Sequence, residues 1–415
     1  MDLGFGEGIL LLGALLAVAA ALSGVMRGTV LSISVLAVAL GIALALADVV
    51  SVEADAPGVA DVIEIALILT LFSDGLFVER ELLWVHWGPV TRAIVIAMPL
   101  TLGLLSLIAH TVIPGLSWAE AFLLAAVLTP TDPVVTSSVV TSQRVPAIVR
   151  HTLNLESGLN DGLALPFVLF FLILAQPGGD AGSEGARLLG EAAFGAFLGV
   201  LLGLIGGRLH NHLPAGGLTR RYEGIYAVGF GLAAFGVADV TFGNGLIAAF
   251  VAGITMGVAE HEIPEAFVEF AENVSAISQV ITFFIFGALI VATGYGGAIW
   301  RLAIFVVLAL IVARPLAIVL AYIRSRLPGP QKAFIAWFGP KGVASMLFAL
   351  FVLKSSVEQG DLIFDVAAFT IVCSIVAHGL TDTIGASWIE RQMRRRQPPE
   401  QEPGRQDEVP GQMLG

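Results

Sequence analysis

The sequence has little charge for its length and almost no cysteine. Only 13% of its 415 residues are charged, and a single cysteine, Cys373, is present. One cysteine excludes an intramolecular disulfide and any cluster of thiolate ligands. The 21 basic residues are outnumbered by 33 acidic ones and form no patch of the kind that nucleic acid requires. We therefore expect no nucleic-acid partner, and no pattern in the sequence calls for a cofactor.

Apolar sequence is abundant instead. Hydrophobic residues make up 57% of the chain and the mean hydropathy is +0.89, more than a soluble core explains. About 20 apolar residues cross the roughly 30 Å of hydrocarbon in a bilayer. Thirteen such windows occur, around 5–24, 29–48, 58–78, 90–110, 118–140, 150–176, 187–210, 222–240, 244–260, 273–293, 297–323, 331–353 and 364–387. This pattern predicts an all-α, polytopic membrane protein with about 13 transmembrane helices.

The positive charges predict how these spans are oriented, because Lys and Arg accumulate in cytoplasmic loops. With the N-terminus outside, sixteen basic residues fall on the cytoplasmic side, three fall outside and two lie within spans. Asp2 and Glu7 stand where a signal peptide would be basic, so the first span is predicted to be retained. We expect a cell (inner) membrane protein with a cytoplasmic C-terminus.

No soluble domain interrupts the spans, so residues 1–389 are predicted to form one transmembrane domain. Residues 390–415 are rich in Arg, Pro, Gln and Glu without apolar periodicity, which predicts a disordered cytoplasmic tail.

Proline and glycine are predicted to break two of the spans. The fifth holds Thr-Pro-Thr-Asp-Pro at 129–133, and the twelfth holds Gly-Pro-Lys-Gly at 339–342. If spans 1–6 and 8–13 are two inverted halves, these breaks fall at corresponding positions. Matched breaks of this kind mark the binding site of many transporters.

Acidic residues cluster beside the first break. A carboxylate at mid-membrane costs about 2.5–3.5 kcal/mol on insertion scales, so Asp132, Glu156 and Asp161 indicate an ion or proton path. On a helix, Ser157 and Asp161 share one stripe, while Glu156 and Asn160 share a neighbouring stripe. Asp161 would lie about 16 Å from the cytoplasmic end of its helix, near the bilayer middle.

The first stripe and the break offer oxygen ligands for an alkali cation. These are the carboxylates of Asp161 and Asp132, the Ser157 hydroxyl, and the hydroxyl or a freed carbonyl of Thr131. Because desolvation disfavours a charged carboxylate, Asp161 can hold a proton or a cation but hardly both. That competition predicts exchange of one for the other.

The second stripe is predicted to hold the structure together. Glu156 and Lys341 are expected to pair, with Asn160 bridging them, because either charge alone would be uncompensated in low dielectric.

Two further charges lie within spans. Asp74 either lines an inner funnel or caps the end of its helix. Arg314 balances Asp74 or Asp132, or serves packing alone.

The order of these motifs resembles the monovalent cation:proton antiporters of the first group, the NhaP-like and Na+/H+ exchanger branch. The resemblance rests on Thr-Asp-Pro at 131–133, Glu-Ser-Gly-Leu-Asn-Asp-Gly at 156–162, Gly-Asn-Gly at 243–245 and Gly-Pro-Lys-Gly-Val-Ala-Ser at 339–345. It implies a homodimer with broken crossing helices, an inverted repeat and a role in pH homeostasis. A mobile core, with helices at about 58–176 and 273–387, would move against a dimerisation part.

The resemblance also assigns roles to residues. It implies that Asp161 is the ion-binding acid and that Asn160 is its amide partner. Asp132 and Thr131 correspond to the pair on the crossing helix. Ser157 corresponds to a further ligand and Glu156 to the structural acid. The Asn-Asp pair is similar to the electroneutral branch. Lys341 stands where the family commonly has Arg, and the acid usual in span 3 corresponds to Asp74 or to the position of Ser73.

The predicted function is therefore exchange of Na+, or of Li+ or K+, for H+ with 1:1 stoichiometry. A cation channel is the alternative, although no filter-like repeat is present. A further alternative is an intramembrane protease in which Ser157 is the nucleophile and Lys341 the base. No Gly-x-Ser-x-Gly setting surrounds Ser157, so an enzyme is not expected.

Overall fold

The computed structural model consists of helices joined by short connections, with no strand among its described residues. Those residues are 10–11, 13–18, 20–21, 33–52, 59–76, 87–132, 139, 142–178, 182–212, 220–259, 265–293 and 295–395. The first three short ranges are helical. The helices that follow are α1 (Ile33–Leu46), α2 (Val59–Leu76), α3 (Trp87–Thr91, Arg92–Ala97 and Met98–Val112), α4 (Trp118–Leu128), α5 (Ala147–Ala175), α6 (Ser183–His212), α7 (Arg220–Asp239), α8 (Gly245–Ala259), α9 (Glu265–Thr293), α10 (Ile299–Leu308, Ala309–Ala313 and Arg314–Ala321), α11 (Gly329–Trp337), α12 (Val343–Leu353) and α13 (Gly360–Arg394).

Every window predicted as a span contains helical residues, so the predicted all-α fold class is confirmed. Within the described ranges, five segments are long and apolar enough to cross a membrane by themselves: Gly88–Val112, Ala147–Ala175, Gly185–His210, Ile299–Ala321 and Gly360–Arg394. Several of the other helices are shorter but also apolar, and two of these, α4 and α12, adjoin breaks.

Two helices are interrupted where proline and glycine predict it. α4 ends at Leu128, and Pro130 follows in non-helical backbone. Residues 338–342 separate α11 from α12. Proline has no N–H to donate and its ring clashes with the preceding turn, which ends a helix. Of the remainder of the fifth predicted span, residues 133–138 and 140 lie outside the described residues.

The two breaks lie against each other. The backbone N–H of Asp132 donates to the carbonyl of Pro340 at 2.8 Å, which joins the end of α4 to the α11–α12 break. Backbone groups released from a helix inside an apolar region need such partners, because no lipid can supply them. The crossing of the two broken helices is thus held by the backbone itself.

A second irregularity is also matched between the halves. Arg92–Ala97 in α3 and Ala309–Ala313 in α10 are π-helical, and α3 contacts α10. These helices are the fourth and eleventh predicted spans, which correspond if spans 1–6 and 8–13 are inverted repeats. Single π turns inside α-helices are frequent at functional sites.

Small residues bring helices together on the side of the molecule formed by α1, α2 and α6 to α9. A Cβ on Gly253 of α8 would collide with the carbonyl of Phe72 in α2, so only glycine allows this approach. Close backbone contact of this kind is the usual means of helix association in lipid, where the hydrophobic effect gives no help. The remaining helices, α3 to α5 and α10 to α13, form a second set. Helix α2 contacts α5 and α12 of this second set, and α9 contacts α12 and α13.

The last helix is longer than expected. α13 continues to Arg394, so the predicted start of the tail at residue 390 is too early. Arg394 pairs with Glu390 one turn before it at 2.8 Å, and Ile389 is fully buried. Pairs spaced i,i+4 and basic residues near a helix C-terminus both favour helix. Residues 396–415 lie outside the described part.

Candidate functional site

Helix α5 carries four polar side chains into the interior. Glu156, Ser157, Asn160 and Asp161 are each less than 5% exposed, although α5 lies in an apolar setting. Helical geometry separates them into the two predicted stripes, but Asn160 of the second stripe faces the same break as Ser157 of the first. The first stripe faces the break after α4, and Glu156 of the second faces α10.

The break after α4 is bound to α5 through Thr131. The Ser157 hydroxyl donates to the Thr131 carbonyl. The Asn160 amide donates to the Thr131 hydroxyl at 2.7 Å, and its oxygen accepts the Thr131 backbone N–H at 3.3 Å. Asn160 therefore does not bridge Glu156 and Lys341, and that prediction is wrong. An amide offers both a donor and an acceptor, which matches the hydroxyl and N–H that the break exposes.

Asp132 lies between the two broken helices. Its backbone N–H is bonded to Pro340, and its carboxylate oxygen Oδ2 accepts the N–H of Val343 at 3.3 Å. Val343 is the first residue of α12, so a negative charge meets the positive end of that helix dipole. A side chain at Gly342 would overlap the Asp132 carboxylate, which explains the glycine at this position.

Lys341 provides the complementary contact. Its Nζ donates to the carbonyls of Pro130 at 3.3 Å and Thr129 at 3.5 Å, at the C-terminal end of α4. A cation at the negative end of a helix is favourable for the same reason that Asp132 is favourable at the N-terminus of α12. Each broken helix thus supplies a charge that stabilises the other.

Glu156 pairs with Arg314 and not with Lys341, so the predicted Glu156–Lys341 partnership is wrong. The Arg314 Nη1 donates to Glu156 Oε1 at 2.7 Å in a buried ion pair between α5 and α10. Arg314 Nη2 also reaches the Phe338 carbonyl at 3.4 Å, at the end of α11. A side chain at Gly339 would collide with the guanidinium. The planar guanidinium can bind a carboxylate and a carbonyl together, whereas a lysine ammonium lacks that fork.

Asp161 differs from the other acids of the site. It is 4% exposed, and its Oδ1 has no hydrogen-bond partner among the described residues. It lies within electrostatic range of Asp74, Asp132 and Lys341. Asp74 lies in α2 against Gly158, where a Cβ would be 3.3 Å from the Asp74 carbonyl oxygen. Asp74 therefore packs against the backbone of α5 about one turn before Asp161.

The atoms that could bind a cation at this crossing are all oxygens. They comprise carboxylates, the hydroxyls of Ser157 and Thr131, and carbonyls released by the breaks. In the described part of the chain, no three His, Cys, Asp or Glu side chains converge as a metal centre would need. Hard oxygen donors with few carboxylates suit a weakly held alkali cation better than a transition metal.

Sequence analysis missed a polar stripe on α13. Ser374, His378 and Thr381 follow one helical face within the last apolar span, and all three contact the end of α11 or the break after it. The available signal was their spacing of four and three residues. His378 is only 2% exposed, so it is not an interfacial histidine.

Comparison with known proteins identifies exchangers and antiporters of monovalent cations and protons as relatives. A family model described as sodium/hydrogen exchanger, transmembrane, matches residues 11–385. The K+/H+ antiporter NhaP of Alkalimonas amylolytica is 26% identical over 340 residues, covering 81% of this chain and 58% of that protein. A probable Na+/H+ antiporter of Schizosaccharomyces pombe is 26% identical over 354 residues, covering 76% of this chain and 46% of that protein. The chain spans about half the length of the curated relatives it matches.

The fold itself also has a solved counterpart. The structure of the sodium proton antiporter MjNhaP1 from Methanocaldococcus jannaschii at pH 8 superposes with a TM-score of 0.73 and 20% identity. The match covers 92% of this chain and 98% of that chain. The family model spans nearly all the described helices, including both breaks and the polar stripes of α5. The chain therefore belongs to the transmembrane sodium/hydrogen exchanger family, a family of multi-pass membrane transporters.

Proposed function

We propose that this protein is a secondary antiporter that exchanges Na+, or Li+ or K+, for H+. The observation that carries the proposal is Asp161, a buried acid whose Oδ1 has no partner in the described residues and which lies beside two broken helices. The relatives named above as K+/H+ and Na+/H+ antiporters support the same reaction.

The proposed ligands are the Asp161 and Asp132 carboxylates, the Ser157 hydroxyl and the hydroxyl or carbonyl of Thr131. Their convergence at the crossing supports this set. Asp74 is proposed as a further acid of the site, because it packs against α5 one turn before Asp161. A proton or a cation neutralises the buried charge, and each excludes the other.

A second group is proposed to support the site without binding the ion. Arg314 neutralises Glu156, Asn160 orders Thr131, and Lys341 stabilises the end of α4. Glu156 thus has a counter-ion and the Lys341 ammonium has carbonyl acceptors, whereas Asp161 has no ion pair among the described residues. Neither Ser157 nor Lys341 is arranged as a nucleophile and base, since both donate to backbone carbonyls.

The proposed setting is the cell (inner) membrane, with the N-terminus outside and the C-terminus cytoplasmic. The sixteen-to-three distribution of basic residues supports this orientation. We also propose a homodimer in which a mobile core, with helices at about 58–176 and 273–387, moves against a dimerisation part. Helices α2 and α9 fall largely within that core and contact α1, α7 and α8 of the remaining part, so they would lie along the sliding boundary.

Proteoliposomes test the reaction directly. An acid-inside pH gradient is imposed, and its dissipation is followed on adding Na+, Li+ or K+. We expect cation-dependent proton release that saturates with cation concentration, as a carrier requires. A flux that rises linearly without saturation would indicate a channel instead.

The role of Asp74 needs a matched control on the same helix. Asp74→Asn is expected to raise the apparent KM for the cation, because it removes a charge from the vicinity of Asp161. Glu64→Gln removes a carboxylate from α2 at a distance of ten residues along the helix and is expected to leave the KM unchanged. Equal behaviour of the two variants would remove Asp74 from the site.

A further inference from the structure

Helix α13 spans the α11–α12 break with side-chain hydrogen bonds at both ends. On the α12 side, the backbone N–H of Lys341 donates to Ser374 Oγ at 3.0 Å. On the α11 side, His378 Nε2 lies 2.9 Å from the carbonyl of Trp337, the last residue of α11. Ser374 Oγ and His378 Nδ1 are themselves 3.2 Å apart. The contacts form one chain from residue 341 through α13 back to residue 337.

His378 bonds the Trp337 carbonyl only when Nε2 carries a proton, because a carbonyl accepts and cannot donate. In that form Nδ1 lies 3.2 Å from Ser374 Oγ, whose hydroxyl can donate to it, and 2.7 Å from the Ser374 backbone carbonyl. Ser374 Oγ remains free to accept the Lys341 N–H.

The clamped segment is the one on which the ion site depends. Pro340 lies inside it and accepts the backbone N–H of Asp132. Val343 follows it and donates to the Asp132 carboxylate. None of the proposed ion ligands makes the clamp, and the supporting residue Lys341 takes part only through its backbone N–H. Neither His378 nor Ser374 touches a proposed ligand in the described contacts.

We propose that Ser374 and His378 are positioning residues for cation binding: they hold the two ends of the α11–α12 break in the geometry that Asp132 needs. This inference rests on the proposed function. Without the clamp the break samples more conformations, and only a fraction of the molecules can bind at a given moment. Such a loss raises the apparent dissociation constant in proportion, while saturating cation still selects the competent form.

Kinetics in proteoliposomes separate this role from a general structural one. His378→Leu is expected to raise the apparent KM for the cation about three- to tenfold, the equivalent of one or two buried hydrogen bonds. The rate at saturating cation should stay within about twofold of the parent. His378→Gln keeps an amide donor for the Trp337 carbonyl and is expected to recover most of the KM.

Thr381→Val is the matched control on α13. Thr381 accepts the Trp337 indole N–H at 2.9 Å, so this variant loses a buried hydrogen bond to the same residue without touching the backbone of the break. We expect it to keep the parental KM. If His378→Leu does not fold, Ser374→Ala against Ser374→Thr tests the other half of the clamp in the same way.

Cation-dependent thermal stabilisation in detergent gives a second readout that needs no transport. The midpoint of stabilisation should shift to higher cation concentration in His378→Leu by the same factor as the KM. A parental KM in His378→Leu, or equal defects in His378→Leu, His378→Gln and Thr381→Val, would overturn the proposal. These outcomes differ from a failure of the proposed function, in which the unaltered protein itself would show no cation-dependent proton release.

Discussion

Glu156 and Asp161 lie five positions apart on the same helix, and both are almost completely buried. Their surroundings differ in one respect. Arg314 of α10 neutralises Glu156 at 2.7 Å, whereas Asp161 has no ion pair in the described part of the chain. One oxygen of each carboxylate, Glu156 Oε2 and Asp161 Oδ1, has no hydrogen-bond partner there. A permanent counter-ion makes an acid structural. An acid without one has to take its neutralising charge from solution, which is what a carrier of protons and cations needs.

The same contrast appears at the ends of the broken helices. Asp132 and Lys341 each face the helix end of opposite polarity, so part of their charge is compensated by backbone dipoles. Helix ends compensate a charge less completely than an ion pair does. Asp132 therefore has a structural contact through Val343 in addition to its proposed role as a ligand.

The largest effect is expected from the acid without a counter-ion. Asp161→Asn keeps the shape of the side chain but removes the charge that a proton or a cation must neutralise. We expect cation-dependent proton release in proteoliposomes to fall to the level of empty liposomes, with a normal elution profile in detergent. Glu64→Gln, a carboxylate lost elsewhere, is the control. Retained exchange in well-expressed Asp161→Asn would refute the assignment.

A smaller loss is expected at Asp132. Asparagine can still accept the Val343 N–H, so α12 keeps its N-terminal contact, but the charge is lost. Interactions with a charged group are worth about 1.5–3 kcal/mol, which corresponds to a roughly ten- to hundredfold fall in kcat/KM. Initial rates across a cation series measure it. Parental rates in Asp132→Asn would make this residue purely structural.

At the paired acid the expected change is in stability. Glu156→Gln or Arg314→Met leaves the other charge buried and unpaired, which costs roughly 3–5 kcal/mol when a buried pair is broken. We expect a lower thermal midpoint in detergent for each single variant and partial recovery in the double variant. Lys341→Met combined with Glu156→Gln is the control pair and should show no recovery. Additive losses in the Glu156–Arg314 double variant would contradict the pairing.

Much of this arrangement follows from local sequence. Apolar windows predict the helices because hydrocarbon thickness fixes their length, and the Pro-Gly motifs predict the breaks because proline cannot continue a helix. The two stripes of α5 follow from helical periodicity alone. Each of these is a property of a short segment and does not depend on what the segment touches.

The partners across helices could not be predicted in the same way. Whether Glu156 meets Arg314 or Lys341 depends on how α10 and α12 are rotated about their axes, and hydropathy does not determine that rotation. Lys341 binds carbonyls that exist as acceptors only because another helix is broken. His378 was missed for a related reason. Its spacing from Ser374 and Thr381 indicates a polar face on α13, but its partner is the backbone carbonyl of Trp337, which no side chain reveals.

The smallest expected effect is on the response to membrane potential, and it follows from one acid serving two ligands. If H+ and the cation compete for Asp161, the apparent KM for the cation should rise as pH falls, by at most about tenfold per pH unit for one-to-one competition. Excess cation still displaces the proton, so the saturated rate stays nearly constant on the acidic side of the optimum. Above the optimum the site seldom reprotonates, and the rate falls.

One cation for one proton moves no net charge, so an imposed potential should leave the flux unchanged. Flux measured with the potential clamped at zero and at a large value checks this, with the pH series as an internal control. A transport current, or a KM indifferent to pH, would contradict competition at Asp161 and implicate Lys341 in proton movement, since a lysine can release a proton where the arginine usual in this motif cannot.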